Sequence, residues 1–405
     1  MSEILRQRRL QAQGFVQCFV VDAATKQVIR EYPVQKNLIL NQGMDALATQ
    51  LYADCMSYCS AGTGVTPTSD DSGVTTAAQS GTTVNLSGGS FVFTNTGTDG
   101  GNMIKWDSGA EAMVVTVVTA TQVTVDRSAT VGAGQFTVYR TNQTQLSTPV
   151  KRTNNYLTGS PYCSTVLAVN TLKLRRTFDF TAEVGLVNYG EVALGWSNTG
   201  ASNIFSRILL ASVVPVDAGQ QLRVTYELQI TVTPLAPYTR SVVINGWPVS
   251  PATDTSGTEA TQYLGLSSVR SSDGLTVIFD SGWYAGEPSA STGGIPVGIF
   301  VSPDASAPAS FGSAVDRFTS STVATATAAS YIPGTWYMDR SVTFTVGQAN
   351  ATNIRSMGMG TEFSASSVHA AQATVDVFVF DQAQTKVNTH TLTLTWRTSW
   401  SRVLS

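Results

Sequence analysis

Acid–base chemistry in this chain of 405 residues would have to start from two histidines, His369 and His390. Both lie at or beside predicted C-terminal strands, and His390 falls on the polar side of the alternating stretch Thr389–Trp396. A general base must sit within reach of a reacting proton in a cleft, so each reads as a surface or packing residue. Thiolate chemistry would need Cys55-x-x-x-Cys59 with Cys163, three ligands for zinc. The spacing lacks the paired Cys-x-x-Cys of ribbon sites and no histidine is near in sequence, so buried thiols are expected. Asp54, Asp70 and Asp71 could offer calcium its hard oxygen ligands, although a solvated turn is the favoured reading of the Asp70-Asp71 pair. Asp280, Glu287 and Asp304 are carboxylates of the kind that cut glycosidic bonds, but most β proteins hold such residues and spacing along the chain does not set their separation. There is no Gly-x-Ser-x-Gly elbow, His-Glu-x-x-His helix or Gly-x-x-x-x-Gly-Lys phosphate loop. The expectation is a protein that is not an enzyme and carries no cofactor and no metal.

Binding is the chemistry left over. Trp247, Trp283, Tyr284, Trp336 and Tyr337 sit next to Gly or Pro where loops meet strands, as contacts for a subunit or a carbohydrate, or else as core edges and turn anchors. Arg6, Arg8 and Arg9 form a short cationic group that could touch nucleic acid or a partner protein, yet three charges fall short of a basic patch. The net charge of -3 and pI of about 5.5 give no field for a nucleic-acid backbone, so no specific nucleic-acid partner is expected. Charged residues make up 13% of the chain where about 25% is usual, leaving a surface of Ser, Thr, Asn, Gln and Gly suited to stacked strands and subunit contacts. Apolar runs such as Ala112–Val115 are far too short to span a bilayer, and Met1–Arg9 lacks the apolar core of a signal peptide. This predicts no membrane insertion, a cytoplasmic site of synthesis and reduced cysteines.

Strands dominate the elements that must position these residues. Residues 1–13 show no strand pattern and are expected to form an N-terminal arm. Gly14–Val21 and Lys26–Tyr32 bracket Asp22–Thr25 as a hairpin, and a short helix starts at Asn41 or Gly43 with Met44, Leu47, Leu51 and Tyr52 on one face. Ser60–Ser80 is rich in Ser, Thr, Gly and Asp and reads as an exposed loop. Short strands at about ten-residue intervals then fill residues 81–141, predicting a small inserted β-barrel or sandwich. Leu172–Thr181 alternates with a slip at Arg175-Arg176, which predicts a bulge, whereas Gln221–Thr233 alternates cleanly as a long half-buried strand. Arg176–Thr181 finds a counterpart in Arg340–Thr345, each followed by a long alternating strand. The fold class expected is all-β: antiparallel β-sandwiches of jelly-roll kind over residues 14–80 plus 142–236 and over 237–405, related by internal duplication, with 81–141 inserted.

Lys36–Asp45, Ser60–Gly64, Gly195–Ser197, Phe205–Leu210 and Val216–Leu222, in that order, resemble minor structural proteins of tailed bacteriophages across about residues 14–235. Ile104–Gly109, Val125–Ser128 and Ala133–Thr144 resemble a small β module found inside such proteins. The resemblance implies a virion component of the collar, neck or tail-associated fibre or adaptor. Its partners would be further copies in a homo-oligomer, trimer or hexamer, and virion proteins such as portal, adaptor or tail components. Residues 240–405 match less clearly, so the competing expectation is a host-receptor or glycan-binding adhesin with its tip in 240–340.

Overall fold

The computed structural model describes residues 5–404 except 50–54, 95–98, 158–162, 169–170, 197–202, 233–238, 244–253, 263–266, 271–276, 280–296, 303–322, 326, 329–330, 349, 362–373, 387 and 390. The protein is predominantly β, with antiparallel sheets and a single helix among the described residues. Strands β1 (Leu5–Asp22), β2 (Val28–Glu31) and β3 (Gln35–Ile39) precede helix α1 (Asn41–Thr49) and β4 (Tyr58–Gly62). Next come β5 (Ser69–Asp71), β6 (Thr76–Ser87), β7 (Met103–Trp106), β8 (Glu111–Thr119), β9 (Gln122–Gly134) and β10 (Phe136–Tyr139). The chain continues through β11 (Pro149–Thr153), β12 (Tyr156–Leu157), β13 (Cys163–Ala168), β14 (Thr171–Asp179), β15 (Val187–Gly195), β16 (Ile204–Val216) and β17 (Gln220–Val232). Strands β18 (Thr239–Val243), β19 (Asp254–Gln262), β20 (Ser267–Arg270), β21 (Val277–Phe279), β22 (Val297–Ser302) and β23 (Val323–Thr325) follow. The last are β24 (Thr327–Ala328), β25 (Tyr337–Phe344), β26 (Ala351–Thr361), β27 (Thr374–Lys386) and β28 (Leu392–Arg402).

The largest sheet runs in the order β11-β4-β15-β16-β3-β1-β17-β14-β12. Strand β1 is its spine, because Ala12, Gly14, Val16, Cys18 and Val20 face the core while Gln13, Phe15, Gln17 and Phe19 alternate outward. Facing them across the ladder, Leu222, Val224, Tyr226, Leu228 and Ile230 of β17 are all fully buried. Strand β14 holds its register against β17 without a bulge, correcting the expected slip at the arginine pair. Arg176 simply takes a core position in the alternation. Its Nη1 donates to the Met56 carbonyl at 2.9 Å and its guanidinium lies 4.2 Å over the Tyr156 ring, which makes a buried cation tolerable. Helix α1 starts at Asn41 and turns Met44 and Leu47 into the core, with Leu51 and Tyr52 outside the described residues. It lies so close to β16 that a Cβ on Gly43 would sit 2.0 Å from the Phe205 carbonyl oxygen, so only glycine fits there.

Three expectations about boundaries are corrected. Residues 1–13 are not an arm without strand, because β1 begins at Leu5. Its first half pairs in parallel with β28, from Leu5 opposite Thr395 to Ala12 opposite Arg402. The Ser60–Ser80 stretch is not a loop throughout, since it carries β5 and the start of β6. Both belong to the six-stranded sheet β5-β10-β7-β8-β9-β6, whose core of Ile104, Trp106, Val114, Val123, Phe136 and neighbours is separate from that of the large sheet. The inserted module thus starts before residue 81. Finally, residues 237–405 do not form one sheet system of their own, because β24, β25 and β28 join the large sheet through β1. The others form the sheet β18-β19-β27-β26-β22-β23 and the pair β20-β21.

Candidate functional site

Two buried side chains on neighbouring strands, Glu191 and Arg207, make a polar cluster at the linkers of the inserted module. Antiparallel pairing of β15 with β16 sets Glu191 opposite Leu209 and Ala193 opposite Arg207, so the two charges meet diagonally on one face. Both side chains are 0% exposed, with Arg207 Nη2 2.7 Å from Glu191 Oε2 and Nε 2.9 Å from the same oxygen. Glu191 also accepts the Thr148 N–H at 2.7 Å, the Ser147 N–H at 3.1 Å and the Ser147 hydroxyl at 3.1 Å. Arg207 donates onward to Gln143 Oε1 and to the Thr66 carbonyl, each at 2.8 Å. The pair therefore grips the incoming and outgoing linkers of the inserted module at once. Burial by itself would raise the Glu191 carboxyl, but the Thr148 and Ser147 amides and Arg207 outweigh it and hold the carboxyl below its ordinary value. A carboxylate so saturated with donors is a clamp and a poor proton acceptor.

The C-terminal end makes a second junction. Trp400 donates its indole N–H to the Met44 carbonyl at 2.8 Å, and Arg402 Nη1 donates to the Ile39 carbonyl at 2.6 Å. Arg402 also reaches Asn41 and stacks 4.5 Å over the Trp336 ring, while Lys105 of the inserted module donates to the Leu404 carbonyl. Burial pushes the Arg402 guanidinium down to about 9, while Asp45 and Glu111 pull it back towards its ordinary value. On the helix side, Asp45 Oδ1 accepts the Tyr331 hydroxyl at 2.6 Å and the Gly334 N–H at 2.8 Å. These bonds hold a turn in which Trp336 adopts φ 52°, a left-handed backbone unusual for a bulky residue.

The outward face of β1, β14 and β17 forms a shallow groove of about 450 Å³. Phe15 and Phe19 supply its apolar floor, and Arg175, Glu227 and Gln229 its polar wall. Arg175 Nη2 lies 2.8 Å from Glu227 Oε2 and Gln229 donates to Glu227 Oε1 at 2.6 Å. Half-exposed aromatic rings beside paired charges are the chemistry of a protein contact.

The residues singled out from sequence divide accordingly. Trp336 is 9% exposed and committed to the core and Arg402, so it is a turn anchor and not an outward contact. Tyr337 is half-buried and opens β25 opposite Ser399. Arg6, Arg8 and Arg9 fall within β1, opposite Trp396, Thr398 and Ser399 of β28. Trp247, Trp283, Tyr284, Asp54, Asp280, Glu287, Asp304, His369 and His390 lie outside the described residues. Asp70 pairs with Arg140 at 2.8 Å and Asp71 accepts the Gly73 amide, which is the turn reading of that pair. Cys18, Cys55 and Cys59 are buried thiols outside any disulfide, Cys18 pushed up to about 12 by burial. Cys163 falls in β13, and among the described residues no group of three or more metal-ligating side chains converges. Neither Glu191 nor Arg207 was marked by the sequence, because a polar residue in a strand reads as outward-facing unless its partner on the next strand is known. No protein-family model, curated protein or solved structure matches the chain.

Proposed function

We propose that the chain is a structural protein of a tailed-phage particle, acting by binding and not by catalysis. In this reading it assembles as a trimer or hexamer in the collar, neck or tail fibre and adaptor region, against portal, adaptor or tail proteins. Its architecture is two jelly-roll-like β-sandwich units related by duplication, with the small β module inserted in the first. The carrying observation is where the buried charge goes: Glu191 and Arg207 bond both linkers of the inserted module, and Arg402 bonds the last strand to β3 and to the start of α1. That investment makes a rigid block that keeps its outward faces fixed for neighbours. Low overall charge and the Phe15 and Phe19 groove agree with contact surfaces completed on assembly.

The deciding experiment is mass spectrometry and cryo-electron microscopy of purified particles from the virus that encodes the chain. Stoichiometric protein in a symmetric ring or fibre is the expected result. Particles that contain none of it would overturn the reading.

A further inference from the structure

The strand pairings of residues 239–402 repeat those of residues 5–232 almost ladder for ladder. In the first half, β11-β4-β15-β16-β3-β1 and then β17-β14-β12 are all joined by antiparallel pairing. In the second half, β23-β22-β26-β27-β19-β18 and β28-β25-β24 show the same arrangement, again antiparallel throughout. The correspondence keeps chain order: β18 stands for β1, β19 for β3, β22 for β4, β25 for β14 and β28 for β17. Side chains agree at the best-defined point. Thr177 faces Thr225 with hydroxyl oxygens 2.9 Å apart, and Thr343 faces Thr393 at 3.0 Å. In each case the next residue, Phe178 or Phe344, is fully buried. Aligning the two stretches on Arg176 and Arg340 therefore misplaces the register by two residues, and the paired threonines give the correct one.

The ladders of β1 with β2, β13 with β14 and β20 with β21 are additions without a counterpart, and so is the ladder that closes the first unit. The first unit is closed by β17 on β1, with Leu10 to Asp22 paired against Val232 to Gln220. The equivalent closure would be β28 on β18, but β28 lies on Leu5–Ala12 of β1 instead and has β25 on its other edge. Among the described residues β18 therefore pairs with β19 alone. Strand β28 is not available to fill the gap, since Trp400 and Arg402 fasten its end to Met44 and Ile39.

We propose that the edge of β18 left unpaired among the described residues is a self-association site, filled by β18 of a second copy of this chain in antiparallel pairing about a two-fold axis. The inference rests on the duplication of the proposed function and selects its hexamer, since a two-fold contact has no place in a three-fold trimer. A second copy is the occupant because the equivalent edge of β1 is completed by a strand of this same chain. An edge of unpaired N–H and C=O groups templates such a partner, and a two-fold contact needs one edge used twice.

The test is amide hydrogen exchange on the full chain, dilute and concentrated, with the variants Ser241→Pro and Val242→Pro. Adjacent residues point their N–H groups to opposite edges, so one proline removes a donor on the β19 side and the other a donor on the open side. Expected are amides of Thr239–Val243 that gain protection only on association, and one variant that abolishes association while β19 stays protected. Protection already complete in the dilute monomer would mean the edge is closed within the chain, and fast exchange in the assembled protein would mean it is not the contact. Either result overturns the proposal. If the chain is found in particles while β18 exchanges freely, this inference alone fails. If β18 is protected in the oligomer but particles lack the chain, only the phage reading fails.

Discussion

At the scale of residues, the Glu191 and Arg207 pair shows how a buried charge earns its place. Removing one partner leaves the other buried and uncompensated, which costs about 3–5 kcal/mol. Glu191→Ala is therefore expected to lose about that much in urea unfolding, and its linkers at Thr66 and Gln143–Thr148 should become cleavable in limited proteolysis. Adding Arg207→Ala should cost less than it does alone, a coupling that a double-mutant cycle reads directly. The acid limb follows from the sign of the shift. Glu191 is held below its ordinary value of 4.5 in the folded state, so its contribution is present above that pH and is lost as pH falls through the lower, folded value. Glu191→Gln should flatten the stability profile in this acid window and leave its shape at neutral pH unchanged. Arg176 carries the same lesson: its charge made the alternation read as a slip, because its tolerance inside the core depends on Met56 and Tyr156, which come from elsewhere in the chain.

Among the elements, the inserted module is the sharpest case of pattern and contact disagreeing. Its middle strands were legible because Met103–Trp106 and Ala112–Thr119 are short apolar and β-branched runs separated by Gly-rich turns. Its first strand was not, because Ser69–Asp71 holds no apolar residue and is recruited by pairing with β10. This fixes where the module can be cut. Deletion of residues 69–140 across a short Gly-Ser bridge should leave a folded remainder, since it spares Thr66, Gln143, Ser147 and Thr148. Deletion of 81–141 should aggregate, because it splits β6 and strands β5 without β10. Circular dichroism and gel filtration of the two variants decide between them. Trimming the chain to start at Leu10 is a milder cut, predicted to loosen β28 and speed proteolysis near Thr395–Ser399 by removing its parallel partner.

For the whole molecule, the proposed role demands a defined assembly. Light scattering of the purified chain should give one mass corresponding to a closed homo-oligomer, and a clean monomer at every concentration would contradict it. Sequence alone determined the β class, a long strand read over Gln221–Thr233 and found at Gln220–Val232, the hairpin at Asp22 and a helix starting at Asn41 or Gly43, because alternation, turn residues and caps act over a few neighbouring positions. Only the tertiary structure decided that Leu5–Ala12 is a strand, that β28 closes on β1 and not on β18, and that Glu191 faces Arg207. These outcomes depend on backbone and charge partners brought together from distant parts of the chain. A polar strand or a buried ion pair carries no local periodicity of its own, and its place is set by the edge or the partner that folding puts beside it.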